Sequence, residues 1–128
     1  MVGKRKSMVK WFAIFLLCST ISTFSFSSEI VVSEEALEHL NQEITLCGLV
    51  KQVNKTNHRT YLNLGGVYPN HKFSFAISQE FYPQFSEKFG DFQVLQNKRV
   101  CAKGIVIQDK RGKPRINIEN PHLLRFAK

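Results

Sequence analysis

Along residues 44–120 apolar and polar positions alternate in short runs, the two-residue period of half-buried β-strands. ITLCGLVKQV opens the series. It is long, rich in β-branched residues and interrupted by Gly48, and a glycine inside a strand marks a bulge or sharp bend. After the polar turn NKTNHR, the run RTYLNLGG sets Leu62 and Leu64 on one face and Tyr61 and Asn63 on the other, outward face. Gly65 and Gly66 stop that strand, and a connector containing Pro69 leads into KFSFAIS, with Phe73, Phe75 and Ile77 on one face. KRVCAKGIVIQ, with Gly104 inside it, is the fourth predicted strand. After the basic turn DKRGK comes the fifth, PRINIEN, in which Ile116 and Ile118 alternate with Asn117 and Glu119.

Two segments break the alternation. SEEALEHLNQ has helical spacing, with Ser33 placed as N-cap, acids in the first turn, and Ala36, Leu37 and Leu40 on one side. It predicts a short lead-in helix within residues 28–43. Residues 79–96 gather Phe81, Tyr82, Phe85, Phe89 and Phe92 around Pro83 and Gly90, and predict a short helix plus irregular loop over one end of the sheet. The tail PHLLRFAK is expected to pack Leu123, Leu124 and Phe126 back on the strands. The resulting order, three strands, a helix or loop, then two strands, is that of an all-β domain of small α content: the five-stranded OB-fold Greek-key barrel. An SH3-like barrel or a small sandwich has similar ingredients. The expected domain runs over residues 44–128.

The first 27 residues have another character. Lys4, Arg5, Lys6 and Lys10 precede an uncharged run rich in Phe, Leu and Ile over residues 11–26, and Ser25 and Ser27 have small-residue spacing for cleavage before Ser28. This is the layout of a signal peptide. The apolar run is diluted by Ser and Thr after Leu17, which disfavours a retained span of ~20 strongly apolar residues. Cys18 follows Phe15, Leu16 and Leu17 rather than the small residues of a lipoprotein signal. The expectation is a periplasmic or secreted protein with no stable membrane span once processed. An uncleaved anchor is the alternative.

Charge sharpens the picture. The chain carries 18 basic and 10 acidic residues, net +8. From Ile44 onward the balance is 14 basic against 5 acidic, a net of +9. Such an excess attracts polyanions, although surface charge also serves solubility. His39, His58, His71 and His122 are scattered, and no metal-ligand or paired-carboxylate spacing appears. The sequence therefore predicts no metal, no cofactor and no catalytic residue.

The stretches LCGLV, YLNLGGVYPNHKFSFAI, NKRVCAKGIV and KPRINIENPHLL together resemble a group of bacterial OB-fold domains. In that group a Cys-Gly or Val-Gly in strand one precedes Y/F-L-N-F/L-G-x-x-Y-P-N-x-x-F. A Lys-Arg-Val strand and a Gly-x-Pro-x-Ile ending follow. The resemblance covers residues 44–124 and implies the barrel fold and nucleic-acid binding. Members stand alone behind signal peptides or are joined to nucleases. No second domain is expected here, so no catalysis is expected to carry over. In the barrel, strands one and four are antiparallel neighbours, so Cys47 and Cys101 could face each other and form a disulfide. The recurrence of both positions in the group supports the bridge, and two buried free thiols are the alternative.

OB domains bind ligand across strands two and three, between the first and last turns. Those turns and their flanks supply Lys51, Lys55, Arg59, Lys110, Arg111, Lys113 and Arg115, with Tyr61 and Asn63 on the strand between. Cations beside a stacking aromatic suit single-stranded nucleic acid, because phosphates pair with the charges while bases stack. The expected function is binding of single-stranded nucleic acid or another polyanion through basic turns at one end of the barrel. The alternative is a periplasmic interaction or envelope-stress module that meets an envelope protein. Tyr68, Pro69 and Asn70 are expected to shape the connector rather than to touch ligand.

Overall fold

A computed structural model describes residues 29–127, so the expected signal segment lies outside the described residues. The strands are β1 (Ile30–Val31), β2 (Glu43–Lys55), β3 (Arg59–Leu64), β4 (Phe73–Ser78), β5 (Arg99–Gln108), β6 (Pro114–Asn117) and β7 (Leu124–Phe126). The α-helix is α1 (Tyr82–Phe89), flanked by 3₁₀ turns at Gln79–Phe81 and Phe92–Leu95. Strand order is β1-β2-β3-β4-β6-β5-β7, and β2 also pairs β5. That second pairing closes β2-β3-β4-β6-β5 into a five-stranded ring, with β4 and β6 parallel and the other pairs antiparallel. This is the OB-fold barrel.

β2 makes closure possible by serving two neighbours. Glu43 to Leu49 pair with β5, and Val50 to Lys55 pair with β3. Gly48 sits at the changeover, where a Cβ would run into the Leu64 side chain. The bulge itself falls between Val50 and Gln52, two to four residues beyond the glycine. Gly48 thus permits close crossing of strands, and the extra residue of the bulge is Lys51.

The alternation resolves as the two faces of the sheet. Leu62, Leu64, Phe73, Phe75, Ile77, Ile116 and Ile118 are buried in the barrel with Leu46, Val50, Val100 and Val106. Phe85, Phe92 and Leu95 from the aromatic segment join this core, as expected for a plug over one end. Full burial of each such side chain contributes about 1.5–3 kcal/mol.

Three local expectations change. The lead-in segment is a 3₁₀ helix, Ser33–His39, with no side-chain cap. Its three-residue turn stacks Ser33 above Ala36, both buried, and rotates Leu37 into solvent at 50% exposure. Ser33 therefore lies inside the element and donates to Glu34 Oε1 (3.1 Å). Second, the tail forms β7 on the edge of β5, where Leu124 is buried while Leu123 and Phe126 stay largely exposed. Third, β1 adds a short parallel pairing on the free edge of β2. No helix among the described residues is long and apolar enough to cross a membrane.

Cys47 and Cys101 are direct cross-strand partners on β2 and β5, with Cα atoms 4.0 Å apart, and they form a disulfide. The bridge ties the first half of β2 to the strand that completes the barrel.

Candidate nucleic-acid interface

The outward face of β3, β4 and β6 carries a groove. Register aligns Asn63 with Ser74 and Arg115, and Tyr61 with Ala76 and Asn117, while Arg59 faces Ser78. Small residues on the middle strand thus lie between longer ones on either side, and Ser74 forms part of a low floor. Four residues separate Arg59 from Asn63 along β3, about 13 Å at strand rise. The groove holds about 530 Å³, and its walls include Arg59, Tyr61, Tyr68, His71, Arg111 and Arg115.

The two basic turns both border this groove, but they are not together at one end of the barrel. β6 runs parallel to β4, so the 109–113 turn enters β6 beside the start of β4 and the 65–72 connector. The turn leading into β3 lies at the far end of β4, where Arg59 pairs with Ser78. A ligand would therefore lie between the turns, along the strand face.

Each turn is locked by a side chain of its own. Thr56 Oγ1 donates to the Arg59 carbonyl (3.0 Å) and accepts from Arg59 N–H (3.1 Å). Asp109 Oδ1 accepts from the backbone N–H groups of Arg111 (2.8 Å) and Lys113 (2.9 Å). The one carboxylate in the groove wall is thus engaged in shaping its turn. Arg59, Lys110, Arg111 and Arg115 form no ion pair among the described residues; the salt bridge present there joins Lys103 and Glu43.

Of the nine residues expected to touch ligand, Arg59, Tyr61, Asn63, Lys110, Arg111 and Arg115 line the groove. Lys51, Lys55 and Lys113 do not. Lys51 is the exposed bulge residue of β2. The Lys55 ammonium sits over the Tyr82 ring, 4.9 Å from its centroid. Lys113 Nζ donates to the His71 carbonyl (2.7 Å), fastening the 109–113 turn to the connector. Asn63 lines the groove in another role, since it is 1% exposed. Its Nδ2 donates to Gln52 Oε1 (2.9 Å), and its Oδ1 accepts from Ser74 Oγ (2.8 Å). Gln52 Oε1 also accepts from the Tyr68 backbone N–H (2.8 Å). This chain of polar groups crosses β2, β3 and β4 and holds the connector against the barrel; leaving its buried members, Asn63 and Ser74, unpaired costs about 1–3 kcal/mol each.

The connector contributes more than shape. Tyr68 lines the groove, with the Arg111 guanidinium 4.8 Å from its ring centroid and the His71 ring nearly parallel at 6.0 Å. Arg111, Tyr68 and His71 thus bring cation and aromatic faces together where the connector meets the basic turn. His71 is 6% exposed. Burial and then the nearby Lys113 charge lower its pKa from the usual imidazole value; Asp109 opposes them, and Arg111 adds a smaller lowering. The YPNH run contained the signal for both residues: an aromatic and an imidazole within a Gly-bounded loop.

The chain matches no family model, and no curated protein matches it at the sequence level. Solved structures do resemble it. An OBody bound to hen egg-white lysozyme superposes with a TM-score of 0.56 at 12% identity, over 84% of this chain and 98% of that one. Asparaginyl-tRNA synthetase from Pyrococcus horikoshii gives 0.52 at 16% identity, over 80% of this chain but 24% of that one. At such identities the likeness is one of fold. The barrel corresponds to about a quarter of the synthetase.

Proposed function

We propose that this protein is an exported binding module that holds single-stranded nucleic acid in the groove over β3, β4 and β6. One observation carries the reading: four cations without ion pairs among the described residues share a single groove with the rings of Tyr61 and Tyr68. Phosphates would pair with Arg59, Lys110, Arg111 and Arg115, and bases would stack on the tyrosines. An Arg–Tyr stack can accept a base because both surfaces are flat and each attracts a π system. The likeness to a tRNA synthetase agrees with the reading at the level of fold.

A panel of oligonucleotides tests it. The protein should bind single-stranded DNA or RNA more tightly than an acidic polysaccharide of equal charge density, because only the former offers bases. Tyr61→Ala and Tyr68→Ala should each weaken oligonucleotide binding by about 1–3 kcal/mol and leave polysaccharide binding nearly unchanged. Equal affinity for both ligands, insensitive to either tyrosine, would make the groove a general polyanion site. Binding to an envelope protein with no affinity for any polyanion would favour the interaction-module reading, and OBody bound to lysozyme is a barrel of this fold engaged with a protein.

Export rests on the charge and apolar pattern of residues 1–27, and the Cys47–Cys101 disulfide is compatible with an oxidising compartment. N-terminal sequencing of protein recovered from the producing cell should start near Ser28. A processed species that still begins with Met1 to Lys10 would contradict cleavage.

A further inference from the structure

His71 carries a chemistry that binding alone does not use. Its side chain lines the groove and is 6% exposed, yet Nδ1 is buried without a hydrogen-bond partner. Arg115, across the floor on β6, likewise has a buried Nε with no partner. Unpaired polar atoms at such depth destabilise the empty protein unless something completes them. The groups around the imidazole are charged and come from several elements. Asp109, Lys110, Arg111 and Lys113 belong to the turn and Arg115 to β6; Lys72 follows His71 in the chain, and Arg59 on β3 lies at the other end of the same groove. Cations outnumber the single carboxylate, so the empty groove repels a proton from His71. An anion seated there offsets part of that excess.

We infer that His71 is the proton-linked contact of this groove: it stays neutral when the groove is empty and takes up a proton when a phosphate-bearing ligand occupies it. The inference rests on the nucleic-acid reading and adds regulation to the same site. The imidazole pKa, lowered in the free protein by burial and by Lys113 and Arg111, rises in the complex because phosphate charge offsets those cations. Linkage fixes the sign. If the bound pKa exceeds the free pKa, the complex holds more protons, so affinity rises as pH falls through the bound value and levels off below the free one. A rise of one unit on binding corresponds to about a tenfold gain in affinity across that window. The empty protein behaves in the opposite way. A depressed imidazole pKa means the unfolded chain takes the proton first, so stability falls as pH drops below the usual imidazole value of about 6.5.

The test uses oligothymidylate of ~10 nucleotides, whose bases and phosphodiesters do not titrate between pH 5 and 8. Its affinity should rise as pH falls from 8 to 5.5, towards the limit of about tenfold that a one-unit shift allows. Calorimetry in two buffers of different ionisation enthalpy should show net proton uptake, reaching about half a proton per complex for a one-unit shift. His71→Phe keeps a flat ring against Tyr68 and should flatten the profile, as should His71→Asn. His58→Asn is the control, because His58 sits exposed in the turn at the other end of the groove, and it should leave the profile intact. NMR titration of the wild-type imidazole, with and without oligonucleotide, gives the same answer should either His71 variant fold poorly: the His71 pKa must be higher in the complex. A flat wild-type profile, a profile that survives in the His71 variants, or one that disappears with His58→Asn overturns the inference while leaving the groove reading in place. Absence of oligonucleotide binding at every pH overturns both.

Discussion

Replacing Cys47 and Cys101 together with alanine should lower the unfolding free energy by about 4 kcal/mol. The bridge closes a loop of 54 residues, and in the chain-entropy account a cross-link of that span removes about this much freedom from the unfolded chain. The loss should be nearly complete, because Cys47 and Cys101 are already paired in register on β2 and β5 and the barrel needs no rearrangement to accommodate alanine there. Both sulfurs are buried, so some of the loss will come from removed packing contacts. Urea titration of the oxidised protein, the dithiothreitol-treated protein and the double variant separates these contributions. Reduction alone reports the cross-link, and the further step to alanine reports the packing. Coincident midpoints for oxidised and reduced protein would show that the strands need no tether.

The second large effect concerns charge. Arg59→Glu with Arg111→Glu should weaken single-stranded DNA binding by two orders of magnitude or more, on the order of 3 kcal/mol, since each change removes a phosphate contact and adds a repulsive one. The two arginines border opposite ends of the groove, so no short ligand can avoid both. Folding should be little affected, because neither guanidinium makes an ion pair among the described residues. Arg111→Glu has one additional consequence. It removes the cation over Tyr68, so its single-variant loss should exceed that of Lys110→Glu in the same turn. Reversal at Lys55, which lies over Tyr82 and outside the groove, is the matched control and should cost much less.

Much of the barrel is legible in the sequence because its period of two is unbroken where one face is buried. Leu62 and Leu64, then Phe73, Phe75 and Ile77, mark the core side of β3 and β4 without ambiguity, and the register follows. β1 and β7 span only a few residues and carry no period, and pairing with β2 and β5 alone makes them strands. The lead-in helix was legible as a helix, but its 3₁₀ pitch, which exposes Leu37, was not. In the site, residue type and strand face located Arg59, Tyr61 and the cations of the last turn. The directions of long side chains were not encoded: Lys113 turns to a carbonyl of the connector and Lys55 to an aromatic ring. Asn63 reads as an outward polar residue and is one, yet the connector covers that part of the face and converts it into a buried link between Gln52 and Ser74. Tyr68 and His71 lie in a loop whose path depends on Gly65, Gly66 and Gln52 together, and no periodicity announces such a path.

The salt dependence of oligonucleotide binding tests the central claim most directly. Neutralising four phosphates with Arg59, Lys110, Arg111 and Arg115 should make log K for a single-stranded oligonucleotide fall with log salt at a slope of about −2.8, from roughly −0.7 per contact. The Arg59→Glu, Arg111→Glu protein should show a slope near half that value. A wild-type protein that binds no single-stranded nucleic acid at low ionic strength, or binds it with an affinity indifferent to salt, would contradict the assignment of this groove.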